Sequence, residues 1–325
     1  MIEIEWHPAR RCAMPSGAAL PPLQQHPAYA AALGRGIGQG AEDIRAALIR
    51  ENGTVIARAQ VMLRHFPLAG MVGYMPRGPV WCGAPARETV AMALRALPRS
   101  LHNEGAACRL WICNAEAEEA AMGLSRIGYL PIITPQHVAE IDLNNDQDIR
   151  LAQQSGKWRN RLRHAQGQDL HITHRPLNSA RDGWLLAAET LQQEAKGYRA
   201  LPANFAAHYP TELTRLFLAE RRGEVIAAML VLRHGAAASY HIGWSSTEGK
   251  SASAHNLLLW QASNWLARKG VRRFDLGTLD TQATAGLARF KLGAGARPRA
   301  LGPTMLYSAP SGVLGRIRAH LKHAA

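Results

Sequence analysis

The sequence GTVIARAQVMLRH at residues 53–65 recurs as GEVIAAMLVLRH at residues 223–234, one residue shorter. Both copies open on a glycine that is soon followed by β-branched residues, and both end in Leu-Arg-His. A glycine turn before an apolar run of this composition predicts a strand in each copy. We expect each strand to follow a helix that ends in charged residues, at Arg50-Glu51 in the first copy and at Glu220-Arg221-Arg222 in the second.

The residues downstream of the two copies also correspond. Each copy is followed by a helix that ends near a glycine. A short strand comes next, and then a second helix that ends at another glycine. These two glycines lie 23 residues apart both times. The predicted segments are helices at about 88–102 and 254–269, strands at 108–113 and 272–277, and helices at about 118–126 and 284–292. Because glycine accepts the positive φ at which helices end, these matches predict two copies of one domain.

Each copy combines helices and strands in an order typical of an α/β domain, with a mixed, mostly antiparallel sheet flanked by helices. The polar stretch 142–148 separates the copies. We therefore predict an N-terminal domain over residues 1–145, a C-terminal domain over 146–310 that carries the active site, and a C-terminal amphipathic helix over 311–325.

The composition excludes several classes of protein. The chain has 325 residues, of which 47% are hydrophobic and 19% are charged, as in a globular protein. No apolar run approaches the roughly 20 residues of a membrane span. The first residues, Met1 to Trp6, lack the apolar core of a secretory signal. The four cysteines have no paired spacing, which predicts a reduced, cytoplasmic location and no zinc site.

Positive charge is the second compositional signal. The 38 Lys and Arg residues against 24 Asp and Glu residues give a net charge of +14, and residues 281–325 contain no carboxylate side chain. A surface of one sign attracts phosphate-rich partners such as tRNA, nucleotide cofactors or anionic lipid head groups. The charge is equally compatible with a generally basic protein, so both interpretations stay open at this point.

Four motifs follow one another along the chain. They are YMPRGPVW at 74–81, KWRNRLRHA at 157–165, SYHIGWSS at 239–246, and FDLG at 274–277 with Gly286 and FKLGAG at 290–295. Together they resemble the motifs of FemABX-type aminoacyltransferases over nearly the whole chain. The resemblance implies two tandem GNAT-like domains, in agreement with the internal repeat. GNAT-like proteins of the acetyltransferase 6 type are similar in the same way.

The resemblance also implies a reaction. FemABX enzymes transfer an aminoacyl group from aminoacyl-tRNA to an amine, usually one in a peptidoglycan precursor. The amine attacks an ester carbonyl, so the site must position both reactants, stabilise an oxyanion and remove a proton. We expect aminoacylated tRNA and an amine-bearing acceptor, small or lipid-linked, as partners, with no bound cofactor and no metal. An acyl-CoA cosubstrate is the alternative.

Three residues are predicted to be catalytic. Lys291 matches the lysine of the family motif, and its charge could stabilise the oxyanion or the 3′ end of tRNA. Asp275 lies mid-strand among apolar residues and could position an amine or hold Lys291; an aspartate that faces solvent at a strand end is equally compatible. Tyr240 is expected to contact substrate from a strand whose alternation puts it on the same face as Ile242.

The donor is expected to bind close to these residues. Phe290 could stack on the terminal adenine of tRNA. Lys157, Arg161 and Arg163 lie on a predicted helix that is basic on two faces, where they could bind phosphate groups. A solvated charged helix at a domain edge is the alternative for these three residues.

Four residues are predicted to bind the acceptor: Arg77, Tyr198, Arg199 and Trp244. Arg77 ends a strand and could hold a carboxylate in bidentate fashion, or it could form a salt bridge that holds the following turn. Tyr198 and Arg199 lie in a helical region where the family places substrate contacts. The family often carries an acid after the first motif, and the absence of one here leaves the acceptor open.

The loop that would bind acetyl-CoA is poorly represented. GNAT enzymes bind the CoA pyrophosphate through backbone N–H groups of a glycine-rich loop after the central strand. Residues 246–253 occupy that place with one glycine and a glutamate, whereas residues 35–40 match the pattern at the wrong place in the fold. This favours aminoacyl-tRNA as the donor. Because only the second domain has the Phe-Lys pair, we predict one site there, at the cleft between the domains.

Three functions remain open from the sequence. The first is an N-acyltransferase that uses aminoacyl-tRNA and a cell-envelope acceptor. The second is a GNAT N-acyltransferase that depends on acyl-CoA or an acyl carrier. The third is a non-catalytic, GNAT-derived binding protein. We further expect a monomer that makes peripheral contact with the inner membrane surface.

Overall fold

The computed structural model describes residues 1–36, 44–67, 70–103, 108–116, 124–125, 127–144, 146–197 and 201–308. These residues form two units. The first is built from the described parts of Met1–Gly34, Gly38–Gln136 and Ala300–Ala325, and the second mainly from His137–Arg299. The units change over at 136–137 and 299–300. The predicted domains, with boundaries at residues 145 and 310, stay a prediction.

The first unit is organised around an eight-stranded sheet. Its strands are β1 (Ile2–Pro8), β2 (Ile44–Glu51), β3 (Thr54–Phe66), β4 (Gly70–Pro76), β5 (Val80–Trp81), β6 (Cys108–Asn114), β7 (Leu130–Ile133) and β15 (Thr304–Tyr307). The order is β1-β2-β3-β4-β6-β15-β7, with β5 paired to β3. All pairs are antiparallel except β4 and β6. Its described α-helices are α1 (Pro27–Gly36) and α2 (Arg87–Asn103).

The second unit contains a seven-stranded sheet. Its strands are β8 (His137–Asp142), β9 (His171–Arg175), β10 (Thr214–Arg221), β11 (Glu224–His234), β12 (Ala237–Ser245), β13 (Arg273–Leu279) and β14 (Arg297–Ala300). The order is β14-β8-β13-β12-β11-β10-β9. Strands β9 to β12 are successive antiparallel neighbours, whereas β12 and β13 run parallel.

Among the described residues, seven α-helices accompany this second sheet. They are α3 (Gln147–Gln153), α4 (Gly156–Gln166), α5 (Gly183–Lys196), α6 (Ala203–His208), α7 (Thr247–Ser251), α8 (Ala254–Arg268) and α9 (Ala285–Gly293). One face of the sheet packs on α4 and α8, in a buried cluster that includes Phe217 and Val231 from the strands, Trp158 from α4 and Leu258 from α8. Apolar residues recur at helical spacing in α8, so burial of this face fixes the helix against the sheet.

The repeat predicted from the sequence is confirmed in its strands but not in the elements before them. The expectation of a helix that ends at Arg50-Glu51 and of another that ends at Glu220-Arg221-Arg222 is wrong. Ile44–Glu51 and Thr214–Arg221 form strands antiparallel to the strand that follows. The turns explain the result. The φ angles are +51° and +81° at Asn52-Gly53, and +51° and +83° at Arg222-Gly223. Two consecutive positive φ angles give the hairpin turn whose twist matches that of paired strands.

The remaining predicted elements have clear outcomes. Helices α2, α8 and α9 and strands β6 and β13 are confirmed within a few residues. The predicted helix at 118–126 lies largely outside the described residues, and the predicted helix at 311–325 lies wholly outside them. The predicted fold class, two mixed and mostly antiparallel sheets with flanking helices, is confirmed. Among the described residues, no helix has both the length and the apolar character needed to cross a bilayer.

Each sheet contains a strand whose pairing partner is remote from it in sequence. Strand β8 follows the first repeat along the chain, yet it pairs with β13 in the second sheet. Strand β15 follows the second repeat, yet it pairs with β6 in the first sheet. A bidentate ion pair anchors the end of the second sheet, because Arg299 of β14 donates to both oxygens of Glu140 on β8 at 2.8 Å.

Candidate active site

The second sheet opens where its two parallel strands separate. Strands β12 and β13 pair only over Ala237–Ser239 and Arg273–Asp275. Beyond these residues β12 continues to Ser245 and β13 to Leu279 without pairing to each other. In the first unit, the corresponding parallel strands β4 and β6 stay paired from Met71 to Pro76. Ligands of open α/β sheets bind outside the carboxyl ends of parallel strands, so the opening in the second unit is the natural place for a site.

A β-bulge in β12 determines which side chains face this opening. The register with β11 skips His241, since Leu230 pairs with Ile242 and Val231 pairs with Tyr240. An extra residue in one strand reverses the alternation of faces beyond it. The expectation that Tyr240 and Ile242 share a face is therefore wrong. The side chain of Tyr240 packs on the α8 face of the sheet, in the cluster that contains Val231 but not Ile242.

The Tyr240 hydroxyl is held by a histidine that the sequence analysis did not single out. Tyr240 Oη lies 3.1 Å from His255 Nε2, and His255 Nδ1 lies 3.4 Å from Ser245 Oγ. Gly243 makes room for this contact, because a Cβ at residue 243 would lie 1.6 Å from Tyr240 Oη and 2.9 Å from His255 Nε2. Tyr240, Gly243, Ser245 and His255 thus form one packed group beside the opening.

Burial lowers the pKa of His255 to about 4. The imidazole is therefore neutral at pH 7, so one ring nitrogen carries a proton and the other accepts a hydrogen bond. His255 is the second residue of α8, and nothing in its local sequence connects it with β12. The bulge in β12 brings the two residues together, because it turns Tyr240 toward α8.

Phe290 extends the group with aromatic surface. Its ring centroid lies 5.7 Å from that of His255 and 6.1 Å from that of Trp158. Trp158 belongs to the second motif and is buried, and a Cβ at Gly293 would lie 3.0 Å from its Cδ1 atom. Helix α9 can therefore approach α4 closely only because residue 293 has no side chain. Phe290 is half-buried.

Lys291 is buried beside Phe290. It is 6% exposed, and Nζ donates to the carbonyl oxygen of Thr278 at 2.8 Å. Burial lowers the pKa of Lys291 to about 8, against the opposing effect of the Asp275 carboxylate. The ammonium is thus mostly charged at pH 7, held at the end of β13 by one carbonyl, and poorly solvated. A buried cation of this kind stabilises negative charge that develops next to it.

Asp275 shapes the backbone around this lysine. It is 4% exposed, and its Oδ1 accepts from the N–H of Gly277 at 2.7 Å. The pairing of β13 with β8 shifts register between Asp275 and Thr278, and Gly277 has a φ of +83°. Asp275 therefore stabilises a local turn that aims the Thr278 carbonyl at Lys291. The alternative that Asp275 faces solvent is wrong; its electrostatic contact with Lys291 agrees with a supporting role.

The basic helix α4 presents its cations to solvent. Lys157, Arg161, Arg163 and His164 are all exposed. Arg163 donates to Asn160 Oδ1 at 2.7 Å, whereas Arg159 turns back to the carbonyl oxygens of residues 152 and 154. The three predicted donor-binding cations lie on the same helix as Trp158, which contacts Phe290.

The connection from β12 to α8 uses many of its backbone N–H groups internally. Ser246 N donates to Ile226 O, and Gly249 N and Lys250 N donate back to Ser246. The N–H groups of Ala252, Ser253 and Asn256 likewise donate to carbonyls of this connection. A Cβ at Gly249 would lie 2.1 Å from Ile226 O, so its one glycine serves close packing. These N–H groups cannot receive a pyrophosphate without refolding of the connection.

Comparison with known proteins agrees with this geometry. An acetyltransferase (GNAT) domain model matches residues 147–295, which contain the whole group around Tyr240, His255 and Lys291. The solved structure of FemX superposes with a TM-score of 0.71 at 14% identity, covering 91% of this chain and 98% of FemX. The chain has the FemABX-like tandem GNAT fold.

Other structures share this tandem GNAT fold. A tandem GNAT protein from the clavulanic acid biosynthesis pathway aligns with a TM-score of 0.54 at 12% identity, over 95% of this chain and 99% of that one. The C-terminal domain of an Agrobacterium fabrum protein described as a lysylphosphatidylglycerol synthetase aligns with a TM-score of 0.53 at 14% identity, over 90% and 91%. None of the curated proteins matches the sequence. The GNAT domain places this protein among the acyltransferases, as predicted.

The predicted acceptor residues do not gather around Lys291. Trp244 contacts Trp184 of α5, at 5.2 Å between ring centroids, and so belongs to the other side of β12 from Tyr240. Tyr198 and Arg199 lie outside the described residues. Arg77 belongs to the first unit, where its Nε and a terminal nitrogen donate to both oxygens of Glu116 at 2.6 and 3.0 Å. A ligand of Arg77 would have to compete with this carboxylate.

The Arg77–Glu116 pair yields a prediction about stability. Replacing Glu116 with alanine removes the carboxylate that is paired with the 6%-exposed Arg77, and we expect a loss of about 2–4 kcal/mol in the free energy of unfolding. Glu116→Gln keeps one acceptor and should cost less. Urea denaturation of both variants checks this, and equal stability of Glu116→Ala and the parent would contradict a structural role for the pair.

Proposed function

We propose that this protein is an N-acyltransferase that moves an aminoacyl group from aminoacyl-tRNA to an amine of a cell-envelope acceptor, of the peptidoglycan-precursor or lipid-linked kind. The observation that carries the proposal is the buried Lys291 ammonium at the open end of the second sheet, beside the half-buried Phe290. The proposal locates the site in the second unit, where Tyr240, Asp275 and His255 surround the same opening.

The residues suit each demand of acyl transfer. The acceptor nitrogen forms a bond to the ester carbonyl carbon, the carbonyl oxygen becomes an oxyanion, and the bond to the ribose oxygen then breaks. Lys291 supplies a cation for the oxyanion or for the departing ribose oxygen. The proton that leaves the amine can pass to the ribose oxygen directly or through Tyr240 Oη, which His255 holds in place. Phe290 offers a stacking surface for the terminal base.

The positive charge of the protein and the connection after β12 both bear on the identity of the donor. The exposed cations Lys157, Arg161 and Arg163 lie on α4, whose Trp158 contacts Phe290, and the net charge of +14 favours a polyanion. Several N–H groups of the connection, where a CoA pyrophosphate would lie, already donate within the protein. Both features support tRNA as the partner. A lysylphosphatidylglycerol synthetase, by its name, joins an amino acid to a membrane lipid, which supports an envelope acceptor.

An acyl-CoA donor is the second candidate. It is favoured by the GNAT domain match and by the tandem GNAT neighbour, whose structure is described as the form without AcCoA. Under this alternative, α7 would have to rearrange to free its N–H groups. A cytoplasmic location, a monomeric state and a peripheral contact with the membrane stay predictions under either donor.

Donor binding separates the two candidates. Purified protein is titrated with aminoacylated tRNA pools, with the same pools uncharged, and with acetyl-CoA, each at several salt concentrations. We expect tRNA binding that weakens steeply with salt, is tighter when the tRNA is charged, and is accompanied by no acetyl-CoA binding. Acetyl-CoA binding without preference for charged tRNA would overturn the proposal and favour the second candidate.

A further inference from the structure

The arginine of the Leu-Arg-His motif in the second unit belongs to a second group of cations. This group lies at the opposite end of α8 from His255. Arg233, the arginine of the motif in the second unit, lies with its Cζ 5.8 Å from the centroid of the Trp265 ring. Arg215 of β10 lies over the same indole, with its Cζ at 4.8 Å. Two guanidinium groups therefore converge on one tryptophan that is itself only 8% exposed.

A neutral histidine holds Arg215 in this arrangement. Arg215 Nε donates to His174 Nδ1 at 2.9 Å, and the His174 ring packs against Trp265 with centroids 5.8 Å apart. Burial, followed by the charges of Arg215 and Arg268, lowers the pKa of His174, so the ring stays neutral and accepts the bond. Arg215 is thus fixed in direction without neutralisation of its charge.

No carboxylate compensates these charges within the part of the chain that the structure describes. None of the ion pairs there involves Arg215, Arg233 or Arg268. Burial, followed by the charge of Arg233, lowers the pKa of Arg215. Arg233 Nε is buried and has no hydrogen-bond partner among the described residues. Like charges held together cost free energy, so the arrangement fits a site for an anion.

The end of α8 does not account for this convergence. Cations stabilise helix C-termini when they meet the last carbonyls. Here the carbonyls of Trp265, Leu266 and Ala267 already accept from the N–H groups of residues 269–271. The two guanidinium groups lie over the indole ring instead. Within the described residues Arg215 donates only to His174, so further N–H groups remain for a ligand of matching geometry.

We propose that Arg215 and Arg233, which converge on Trp265, bind phosphate groups of the RNA backbone, at a site separate from the transfer site. Guanidinium groups pair with phosphate oxygens in bidentate fashion. The nearly buried indole offers no face on which a base could stack, so binding here would not depend on the RNA sequence. His255 and Trp265 are ten residues apart on α8, about 15 Å at 1.5 Å per residue. One polynucleotide can span that distance, so this inference rests on the proposed tRNA donor and adds an anchoring site to it.

The test compares two pairs of charge-removing substitutions. Arg215→Gln with Arg233→Gln removes the site, and Arg95→Gln with Arg99→Gln removes two charges from α2 in the first unit. Binding of an uncharged tRNA pool is measured by fluorescence anisotropy over a range of salt concentrations. We expect Kd to rise roughly tenfold for the first pair, with the salt slope reduced by about two, and little change for the control pair.

Further measurements distinguish RNA phosphate from lipid phosphate, and they test the phosphate site separately from the proposed function. Equal effects of the two pairs on RNA binding would overturn the inference, and so would loss of binding to phosphatidylglycerol vesicles with RNA binding intact. If the donor is aminoacyl-tRNA, the KM advantage of full-length donor over a short aminoacylated 3′ fragment should shrink in the first pair. Absence of transfer from either donor by the parent protein would refute the proposed function, while the anisotropy result would still decide the phosphate site.

Discussion

Replacing Lys291 with methionine should reduce acyl transfer by about 10²–10³-fold and leave the fold intact. The reduction follows from loss of a buried donor aimed at a developing negative charge, whose removal in other acyl-transfer sites has effects of this size. Methionine keeps the length and the apolar stem of the side chain. The Thr278 carbonyl loses its donor, but the burial of an ammonium is relieved at the same time.

The control for this substitution is Lys250→Met. Lys250 is exposed on α7 in the same unit, and its replacement removes the same charge from the surface. Initial rates with saturating donor, together with thermal melts, distinguish lost chemistry from lost structure. If Lys291→Met retains the activity of Lys250→Met, Lys291 is a structural lysine and the proposed mechanism is wrong.

The pH dependence of transfer tests the charge of Lys291. Since burial lowers its pKa to about 8, Nζ is charged below that pH and neutral above it. The rate contribution that needs the ammonium is therefore present at neutral pH and lost as the pH rises through about 8. The guanidinium of the Lys291→Arg variant stays charged throughout, so any activity that this variant retains should lack the alkaline decline. An identical decline in both proteins would assign it to another group.

Introducing a methyl group at residue 243 should have the second large effect. The Cβ of Gly243→Ala would lie 1.6 Å from Tyr240 Oη and 2.7 Å from its Cζ, so the phenol ring has to leave its position. The bond to His255 breaks, and the hydroxyl no longer borders the sheet opening. We expect transfer to fall about 10²-fold, as for other misplaced groups in active sites, together with a lower thermal midpoint.

A double mutant separates the clash from a general effect of alanine in β12. Tyr240→Ala removes the atoms with which residue 243 would collide, so Gly243→Ala should destabilise the protein much less in that background. Gly183→Ala, where nothing lies within 4 Å of the added Cβ, is the matched control. Additive losses of stability in the double mutant would contradict the packing of Tyr240 against Gly243.

The sequence was sufficient to predict those features that depend on neighbouring residues alone. The repeat around residues 53–65 and 223–234 established two related units, because the same pattern of turn and apolar residues forms the same hairpin twice. The adjacency of Phe290 and Lys291 is covalent and needs no tertiary information. The helix predicted before each repeat failed for a local reason as well: the Asn52-Gly53 turn is a hairpin signal, and it outweighs the short apolar run before it.

Tertiary structure decided what reaches the site. The bulge at His241 depends on the register between β11 and β12, and it turns Tyr240 toward a histidine 15 residues later in the chain. Strands β8 and β15 pair with strands that are remote from them in sequence, because backbone pairing requires nearness in space and not sequence proximity. The repeat and the motifs were enough to predict two related units and the chemical groups that they carry. Only the packed strands and helices determined which groups meet, since such contacts depend on register and burial that no local pattern records.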